Sequence, residues 1–269
     1  MIISASRRCD LPAFHGEEFM AALRAGAIDV GHPFRPRAAR RVSLRRQDVD
    51  AIVFWSRDVR PFLRHLPEVE ERGYPSVFLL TLTAYHRPLE PAVPETGEAL
   101  AAFRRLEQAV GRQRIAWRYD PVLLLPGLDA GFHMANFARL ASRLAAHAAR
   151  AIVSFFDPYP AALRRLRRAG FDPAGASGSP RQQAELLAAF AAAAAREGMG
   201  IQSCAEDAEG AAVASGKCID EEWLNGLFGL RLAYRKDPGQ RALCRCQRSV
   251  DIGSYGDCAH GCLYCYARR

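Results

Sequence analysis

Short apolar runs recur along the chain, and each is followed by a turn or by a helical pattern. Six of these runs are rich in β-branched and aromatic residues, and they occupy positions 1–6, 50–55, 76–83, 114–120, 150–157 and 200–204. They are continuously apolar and do not alternate with polar residues, which is typical of parallel strands that are covered on both faces. The sequence therefore predicts six strands of a parallel sheet.

Helical patterns lie between the strands. The clearest helix has Ser179 as its predicted N-cap, Pro180 at the first helical position and Gln182 completing a capping box. Positions 97–111 and 132–149 also carry leucine, phenylalanine and alanine at helical spacing. The chain is therefore predicted to consist of about six strand–helix units.

The repetition of these units favours an α/β fold built as a partial or complete parallel (β/α) barrel, because right-handed crossovers place every helix outside the strands. A doubly wound open sheet is the alternative, but no G-x-G-x-x-G follows the first strand, so the best sign of a dinucleotide-binding sheet is missing. Residues 1–204 are predicted to form the barrel. Residues 205–269 have little periodicity and most of the cysteines, and they are predicted to be a cluster-binding cap that needs metal to fold.

The length of 269 residues suits one barrel-sized domain or two ordinary domains. The opening MIISASRRCD lacks the order and length of a secretory signal. The most apolar stretch, 186–195, is too short to span a bilayer as a helix. We therefore expect a cytoplasmic protein that does not associate with membranes.

Cysteine is concentrated near the C-terminus. Seven of the eight cysteines lie in the last third of the chain: Cys204, Cys218, Cys244, Cys246, Cys258, Cys262 and Cys265. A reducing cytoplasm disfavours disulfides, so this clustering indicates metal binding, with disulfides as the alternative. The isolated Cys9 is interpreted as a small buried or incidental residue.

The formal net charge of +8 raises a second function class, because basic surfaces attract the phosphate backbone of nucleic acids. Nearly all of this charge is arginine in an alanine-rich chain, as biased base composition would produce, and the only lysines are Lys217 and Lys236. The arginine-rich stretches 35–46 and 164–168 are interpreted as solvated faces. A nucleic-acid-binding protein with structural zinc or iron–sulfur remains the alternative function.

The sharpest chemical signal is Cys258-x3-Cys262-x2-Cys265. Three thiolates within eight residues can hold three irons of a cubane cluster and leave the fourth iron without a protein ligand, which is where chemistry can occur. His260 lies inside this loop. Because three thiolates already define the site, we expect His260 to contact solvent or to donate a hydrogen bond to a neighbouring group.

This spacing resembles the signature of radical S-adenosylmethionine enzymes, in which an aromatic residue precedes the last cysteine; Tyr264 occupies that position here. The resemblance implies a site-differentiated 4Fe–4S cluster whose open iron binds the amino and carboxylate groups of S-adenosylmethionine, with Tyr264 beside the adenine. Reductive cleavage would then give a 5'-deoxyadenosyl radical that abstracts hydrogen from a substrate. An electron donor such as flavodoxin or ferredoxin is implied as a partner.

The wider phrase SYGDCAHGCLYCYAR at 254–268 resembles the cluster loop of the spore-photoproduct-lyase branch, where the loop precedes most of the barrel. Together with IISASRRCDLPAF, VFWSRD and WRYDPVLLL, it makes the whole chain similar to a functionally uncharacterised bacterial family with C-terminal cysteines like the radical-enzyme loop. Here the barrel precedes the loop, which is a permutation of that order. VDIGSY is expected to supply the strand that leads into the loop. Similarity of the loop indicates how the cofactor is bound and does not identify the substrate. The substrate is therefore left open between a small molecule, a nucleotide-type molecule and nucleic acid.

The other four clustered cysteines, Cys204, Cys218, Cys244 and Cys246, make a complete ligand set for a second metal site. A second 4Fe–4S cluster is the favoured occupant, in an electron-relay or structural role. Tetrahedral zinc is the main alternative, because four thiolates also satisfy it.

Active sites of barrels assemble at the carboxyl ends of the strands. Residues predicted to lie there are Arg7, Arg8, Asp10, Trp55, Arg57, Thr83, Tyr85, Arg118, Asp120 and Asp157. Arg118 and Asp120 are the preferred cofactor-binding candidates, because a guanidinium can bind a carboxylate bidentately and an aspartate can accept hydrogen bonds from ribose hydroxyls. An ion pair between these two side chains is the alternative.

Overall fold

The computed structural model describes residues 1–32, 35–206 and 212–268. Its strands are, in chain order, β1 (Ile2–Ala5), β2 (Ala27–His32), β3 (Arg35–Ser43), β4 (Ala51–Ser56), β5 (Ser76–Thr81), β6 (Ile115–Val122), β7 (Arg150–Phe155), β8 (Gly200–Ser203) and β9 (Val250–Asp251). Seven of them form one sheet in which every pairing is parallel, and β2 and β3 form a separate antiparallel hairpin. The six predicted strands are confirmed as β1 and β4 to β8.

The helices are α1 (Leu11–Phe14), α2 (Gly16–Ala25), α3 (Leu66–Glu71), α4 (Thr96–Val110), α5 (Ala130–Leu144), α6 (Pro160–Arg168), α7 (Pro180–Arg196) and α8 (Glu221–Phe228). Helices α4, α5 and α7 confirm the three predicted helical segments. The capping box of α7 is present: the Gln182 N–H donates to Ser179 Oγ over 3.3 Å, and the Ser179 N–H donates to Gln182 Oε1 over 2.9 Å. No helix among the described residues is long and apolar enough to cross a membrane.

The strand order of the sheet is β8-β7-β6-β5-β4-β1-β9. From β1 to β8, each parallel strand lies beside the preceding one in the chain, without the reversal that a doubly wound sheet requires. The next strand, β9, returns to the other side of β1, so a parallel α/β architecture is confirmed whereas the barrel is not. Strands β8 and β9 form the two edges and do not pair with each other in the described part of the chain, so the sheet is open.

Apolar side chains cover both faces of the sheet, as the continuously apolar strands predict. On the helix side, Phe54 of β4 packs against Phe19 of α2, and Trp117 of β6 stacks on Phe137 of α5, with ring centroids 5.6 and 4.7 Å apart. The opposite face packs against the segment 212–250, here called the inner-face segment. Side chains buried between that face and this segment include Val53, Leu79, Ala116, Ile152, Ile219 and Leu224. The inner-face segment therefore completes the core.

The short strand β9 lies beside β1, where Ile3 pairs with Val250 and Ser4 pairs with Asp251. This confirms that VDIGSY supplies a parallel strand immediately before the terminal loop, which we define as residues 254–268. Because β9 ends at the same edge as the other parallel strands, it delivers the terminal loop to their carboxyl ends.

The arginine-rich stretch 35–46 lies largely in strand β3 of the hairpin, which the sequence does not predict. The side chains of Arg40, Arg41, Arg45 and Arg46 are exposed, which agrees with their interpretation as a solvated face. The side chains of residues 32–38 lie outside the described part of the structure. Nucleic-acid binding by this face stays the untested alternative.

Candidate active site

A cavity of about 550 Å³ lies at the carboxyl ends of the parallel strands. This is the edge of a parallel α/β sheet where ligands bind. All seven cysteines of the last third of the chain line it. The predicted strand-end residues that also line it are Arg7, Arg8, Asp10, Trp55, Arg57, Arg118, Asp120 and Asp157. Thr83 and Tyr85 do not line the cavity and instead contact two residues that do, Arg57 and Tyr264.

Four buried cysteines, here called the four-cysteine group, lie in this cavity: Cys204, Cys218, Cys244 and Cys246. The sulfurs of Cys204, Cys218 and Cys246 all lie within 4.8 Å of one another and could hold a metal ion. The thiol of Cys244 is within hydrogen-bonding reach of Cys204 and Cys246. Thiols that donate to the Cys246 sulfur lower its pKa far below the ordinary value. The clustering is therefore confirmed for Cys204, Cys218 and Cys246, and Cys244 as a fourth ligand stays a prediction.

Positive charge and hydrogen-bond donors surround the four-cysteine group. The guanidinium carbons of Arg7 and Arg118 lie 6.0 and 4.8 Å from the ring centroid of Trp55. Arg7 is close enough to Cys246, and Arg118 to Cys218, to favour the thiolate forms. Arg7 Nη1, Trp55 Nε1 and Arg118 Nε are buried donors with no acceptor in the described structure. These donors fit an anionic metal–thiolate group or an anionic ligand.

Cys258, Cys262 and Cys265 lie in the terminal loop at the rim of the same cavity. Cys262 is buried, whereas Cys258 and Cys265 are partly exposed. Burial raises the pKa of Cys262 to about 12, and the nearby Arg57 guanidinium opposes this rise. Burial also raises the pKa of Cys258. Cluster ligation would replace these protons with iron, and the Arg57 guanidinium would stabilise the resulting thiolate at Cys262.

The terminal loop is tied to loops at the strand ends. His260 lies with Nε2 2.8 Å from Asp10 Oδ2, and its backbone carbonyl accepts a hydrogen bond of 3.1 Å from the Ala92 N–H. The Leu263 N–H donates to the Leu89 carbonyl over 3.0 Å. Asp10 in turn accepts hydrogen bonds from Ser56 Oγ and from two backbone N–H groups. His260 therefore contacts a neighbouring carboxylate, as expected for a residue beside the thiolates.

Helix α6 contributes a contact that corrects the interpretation of 164–168 as a wholly solvated face. Arg165 is partly buried, and its guanidinium donates to the carbonyls of Leu263 and Arg268 over 3.0 and 3.1 Å and to that of Cys265. The neighbouring Arg164, Arg167 and Arg168 are exposed. Arg165 points to the terminal loop because the buried Ala162 and Leu166 orient that face of the helix inward.

Tyr264 is buried at the cavity wall with its hydroxyl fixed by charged groups. Arg57 Nη2 donates to Tyr264 Oη over 2.7 Å, and Arg57 Nη1 donates to Glu90 Oε1 over 2.7 Å. The Tyr264 hydroxyl also donates to Glu90. The Tyr264 ring meets Tyr85 edge to face at a centroid distance of 6.0 Å, and Thr83 hydrogen-bonds to Arg57. Burial raises the pKa of Tyr264 well above its ordinary value, so the phenol stays protonated.

Arg118 and Asp120 both line the cavity and form an ion pair with each other. This is the arrangement that the sequence leaves as the alternative to cofactor binding. Arg118 Nη1 also donates to Thr81 Oγ1 over 3.2 Å. Arg118 Nε nevertheless remains without an acceptor in the described structure, so the guanidinium still has a hydrogen bond to donate.

Three side chains that shape the site are not identified from the sequence: Glu90, Arg165 and Asp251. Asp251 accepts hydrogen bonds from Ser4 Oγ over 2.8 Å and from the Arg7 N–H over 2.8 Å. A carboxylate within the strand-like VDIGSY is the signal that could have identified Asp251. Glu90 lies in a loop and Arg165 in an arginine run, and neither has a sequence signal that separates it from its neighbours.

Comparisons with known proteins give a family but no named activity. A search of curated proteins found no match. Among solved structures, Rhizobium etli pyruvate carboxylase with the allosteric activator acetyl coenzyme-A is 14% identical, with a TM-score of 0.32 over 63% of this chain and 13% of that chain. The carboxyl transferase domain from Rhizobium etli pyruvate carboxylase is 13% identical, with a TM-score of 0.31 over 67% of this chain and 28% of that chain.

The chain thus spans less than a third of either protein. A family model with the description "Domain of unknown function (DUF1848)" matches residues 2–267, which is nearly the whole sequence. The chain therefore belongs to the DUF1848 family.

Proposed function

We propose that the protein is a radical S-adenosylmethionine-like iron–sulfur enzyme that generates a 5'-deoxyadenosyl radical for hydrogen abstraction from a substrate. The observation that supports this best is the position of Cys258, Cys262 and Cys265 with Tyr264 at the rim of a cavity at the strand ends. The three cysteines would hold a site-differentiated 4Fe–4S cluster. When bound, this cluster supplies the electron that cleaves S-adenosylmethionine.

The donor set fits such a cluster. Among the described residues, the three loop sulfurs do not form a group within 4.8 Å of one another, in contrast to the sulfurs of Cys204, Cys218 and Cys246. A wider spacing suits thiolates that bind different irons of one cubane. The partial exposure of Cys258 and Cys265 supports electron entry from a donor such as flavodoxin or ferredoxin.

The residues around the loop support cofactor and substrate binding in the same cavity. Arg57 and Glu90 fix the Tyr264 ring, which is proposed to lie beside the adenine of S-adenosylmethionine. Arg118 and Asp120 are proposed to contact the cofactor, because both line the cavity and Arg118 Nε lacks an acceptor in the described structure. A volume of about 550 Å³ is in the range of small-molecule sites, which supports a small-molecule or nucleotide-type substrate.

The fold supports a partial barrel as the framework of this site. Strands β1 and β4 to β8 follow chain order, most helices pack on one face, and the inner-face segment with α8 covers the other face. In this interpretation, residues 1–204 form the body, and residues 205–269 pack on it and bring the metal ligands. The eight free cysteines support a reducing compartment such as the cytoplasm.

The replacement Cys262→Ala tests the proposal. Anaerobically reconstituted and reduced wild-type protein should convert S-adenosylmethionine to 5'-deoxyadenosine, and the variant should not, because two thiolates cannot hold the cubane in position. Circular dichroism should be unchanged, since the core around the sheet does not depend on this thiolate. Cys9→Ala, which removes a cysteine outside both groups, should retain the iron. A Cys262→Ala protein that makes 5'-deoxyadenosine at the wild-type rate would contradict the proposal.

A further inference from the structure

We infer that the four-cysteine group holds a single tetrahedral zinc ion in a structural site, in place of the second 4Fe–4S cluster that the sequence favours. The inference concerns Cys204, Cys218, Cys244 and Cys246 and does not depend on the function proposed for the terminal loop. It rests on the spacing of the sulfurs, on the groups around them, and on the parts of the chain that they join.

The distances between the sulfurs distinguish a zinc ion from a 4Fe–4S cluster. Four thiolates on one zinc ion at a Zn–S distance of about 2.3 Å stand about 3.8 Å from one another. In a cubane each thiolate binds a different iron, so the sulfurs stand roughly 6 Å apart. The sulfurs of Cys204, Cys218 and Cys246 all lie within 4.8 Å of one another, and Cys244 is within hydrogen-bonding reach of two of them. The spacing of Cys204, Cys218 and Cys246 fits one ion and is narrower than that of thiolates on a cubane, and Cys244 lies beside two of them as the fourth ligand.

Backbone amides hold the sulfurs in this arrangement. The Cys218 N–H donates to the Cys246 sulfur over 3.3 Å, and the Cys246 N–H donates to the Cys244 sulfur over 3.5 Å. Hydrogen bonds of this kind lower the basicity of metal-bound thiolates and fix their directions. Two of the four ligands therefore take their orientation from the backbone of the group itself.

Charge compensation also fits a metal–thiolate centre. Zinc with four thiolates has a net charge of −2, which is costly to bury unless cations or donors face it. Arg7 lies near Cys246 and Arg118 near Cys218, and Trp55 Nε1 is a buried donor without an acceptor in the described structure. Trp55 belongs to the same apolar cluster as the four cysteines.

The group joins three parts of the chain and has no open position. Cys204 directly follows β8, Cys218 precedes α8, and Cys244 and Cys246 precede β9. Four protein ligands close a zinc ion completely, which is the pattern of structural sites. The ion would fasten the inner-face segment to the sheet at both of its ends and would form one wall of the cavity.

Metal analysis of the full-length protein tests this inference. Wild-type protein purified without added metal and reconstituted anaerobically with iron and sulfide should contain about one zinc and about four irons per chain. The double replacement Cys244→Ser and Cys246→Ser should lose the zinc and keep the iron. Cys262→Ala should show the reverse pattern. A wild-type protein with about eight irons and no zinc, or a double variant that loses half of the iron, would overturn the inference.

A second measurement covers the case in which the double variant fails to fold. Zinc X-ray absorption of the wild-type protein should show one shell of four sulfurs at about 2.3 Å. Cobalt exchanged into this site should give the visible spectrum of tetrahedral thiolate coordination. A zinc shell with nitrogen or oxygen ligands, or without four sulfurs, would reject the site. Failure of the proposed enzyme function would appear separately, as absent 5'-deoxyadenosine with the zinc content unchanged.

Discussion

Single side chains from distant parts of the chain hold the terminal loop against the sheet. Asp10 contacts His260, Arg57 contacts Tyr264, and Arg165 donates to backbone carbonyls of the loop. A loop that offers thiolates to a cluster must hold them in one geometry before the metal binds, because disorder of the ligands lowers affinity. These contacts therefore bear on cluster retention more than on folding of the sheet.

Arg165→Ala should make the cluster labile without unfolding the protein. The replacement removes hydrogen bonds from a charged donor to three carbonyls of the terminal loop. Hydrogen bonds to charged groups contribute roughly 1.5–3 kcal/mol each. Because about 1.4 kcal/mol corresponds to a factor of ten, we expect the variant to lose its iron to a chelator at least about tenfold faster than the wild-type protein. The exposed Arg167 on the same helix gives the control, Arg167→Ala. Equal rates of iron release from both variants would contradict this role.

The site residues that follow the strands can be predicted from the sequence, whereas those that reach the site from elsewhere cannot. Arg57 and Asp10 could be predicted because the carboxyl ends of parallel strands share one edge. Arg165 could not be separated from the arginines beside it, since its partner lies about a hundred residues away. The Arg118–Asp120 ion pair also required the structure, because the sequence allows either partner to face a ligand.

At the scale of elements, strand β9 connects the sheet to the terminal loop with only two residues. Asp251 at its end is nearly buried and joins the loop after β1 through Ser6 Oγ, over 2.6 Å, and through the backbone of Arg7. The side chain of Arg7 also pairs with Asp237 over 3.0 Å. The carboxylate therefore supplies much of the attachment that so short a strand cannot supply through backbone pairing.

Asp251→Ala should loosen this attachment and destabilise the protein. The replacement leaves buried donors on Ser4, Ser6 and the Arg7 backbone without their acceptor, and we expect a loss of roughly 3 kcal/mol in the free energy of unfolding. Urea unfolding of the metal-loaded protein measures it. Asp257→Ala, at an exposed position in the same part of the chain, should change the stability by less than about 0.5 kcal/mol. A similar small change for both variants would show that β9 does not depend on the carboxylate.

The elements that the sequence predicts are those with a long, regular pattern. Strands β4 to β8 and helices α4, α5 and α7 show continuous apolar runs or helical spacing, which local physics translates directly into structure. The hairpin of β2 and β3 cannot be predicted in this way, because its arginines obscure the alternation of a strand. Strand β9 is too short to show any period, and the sequence predicts it only because a strand should precede the terminal loop.

At the scale of the whole molecule, the sheet depends on segments from both ends of the sequence. Helices cover one face, and the inner-face segment, residues 212–250, covers the other. Without that segment, side chains such as Val53, Leu79 and Ile152 would face water. The division into a body of residues 1–204 and a C-terminal part, 205–269, therefore separates two parts of one core, and the two parts should depend on each other for stability.

Two truncations test this dependence. A chain of residues 1–204 should bind a hydrophobic dye and unfold without a cooperative transition, because the apolar face beneath the inner-face segment becomes exposed. A chain of residues 1–256 lacks the cysteines of the terminal loop but keeps β9 and the four-cysteine group. We expect it to retain zinc, to unfold in one cooperative transition, and to bind little dye. If residues 1–204 alone formed a monomer with cooperative unfolding and no dye binding, the inner-face segment would be dispensable for the core, and the body would be an autonomous domain.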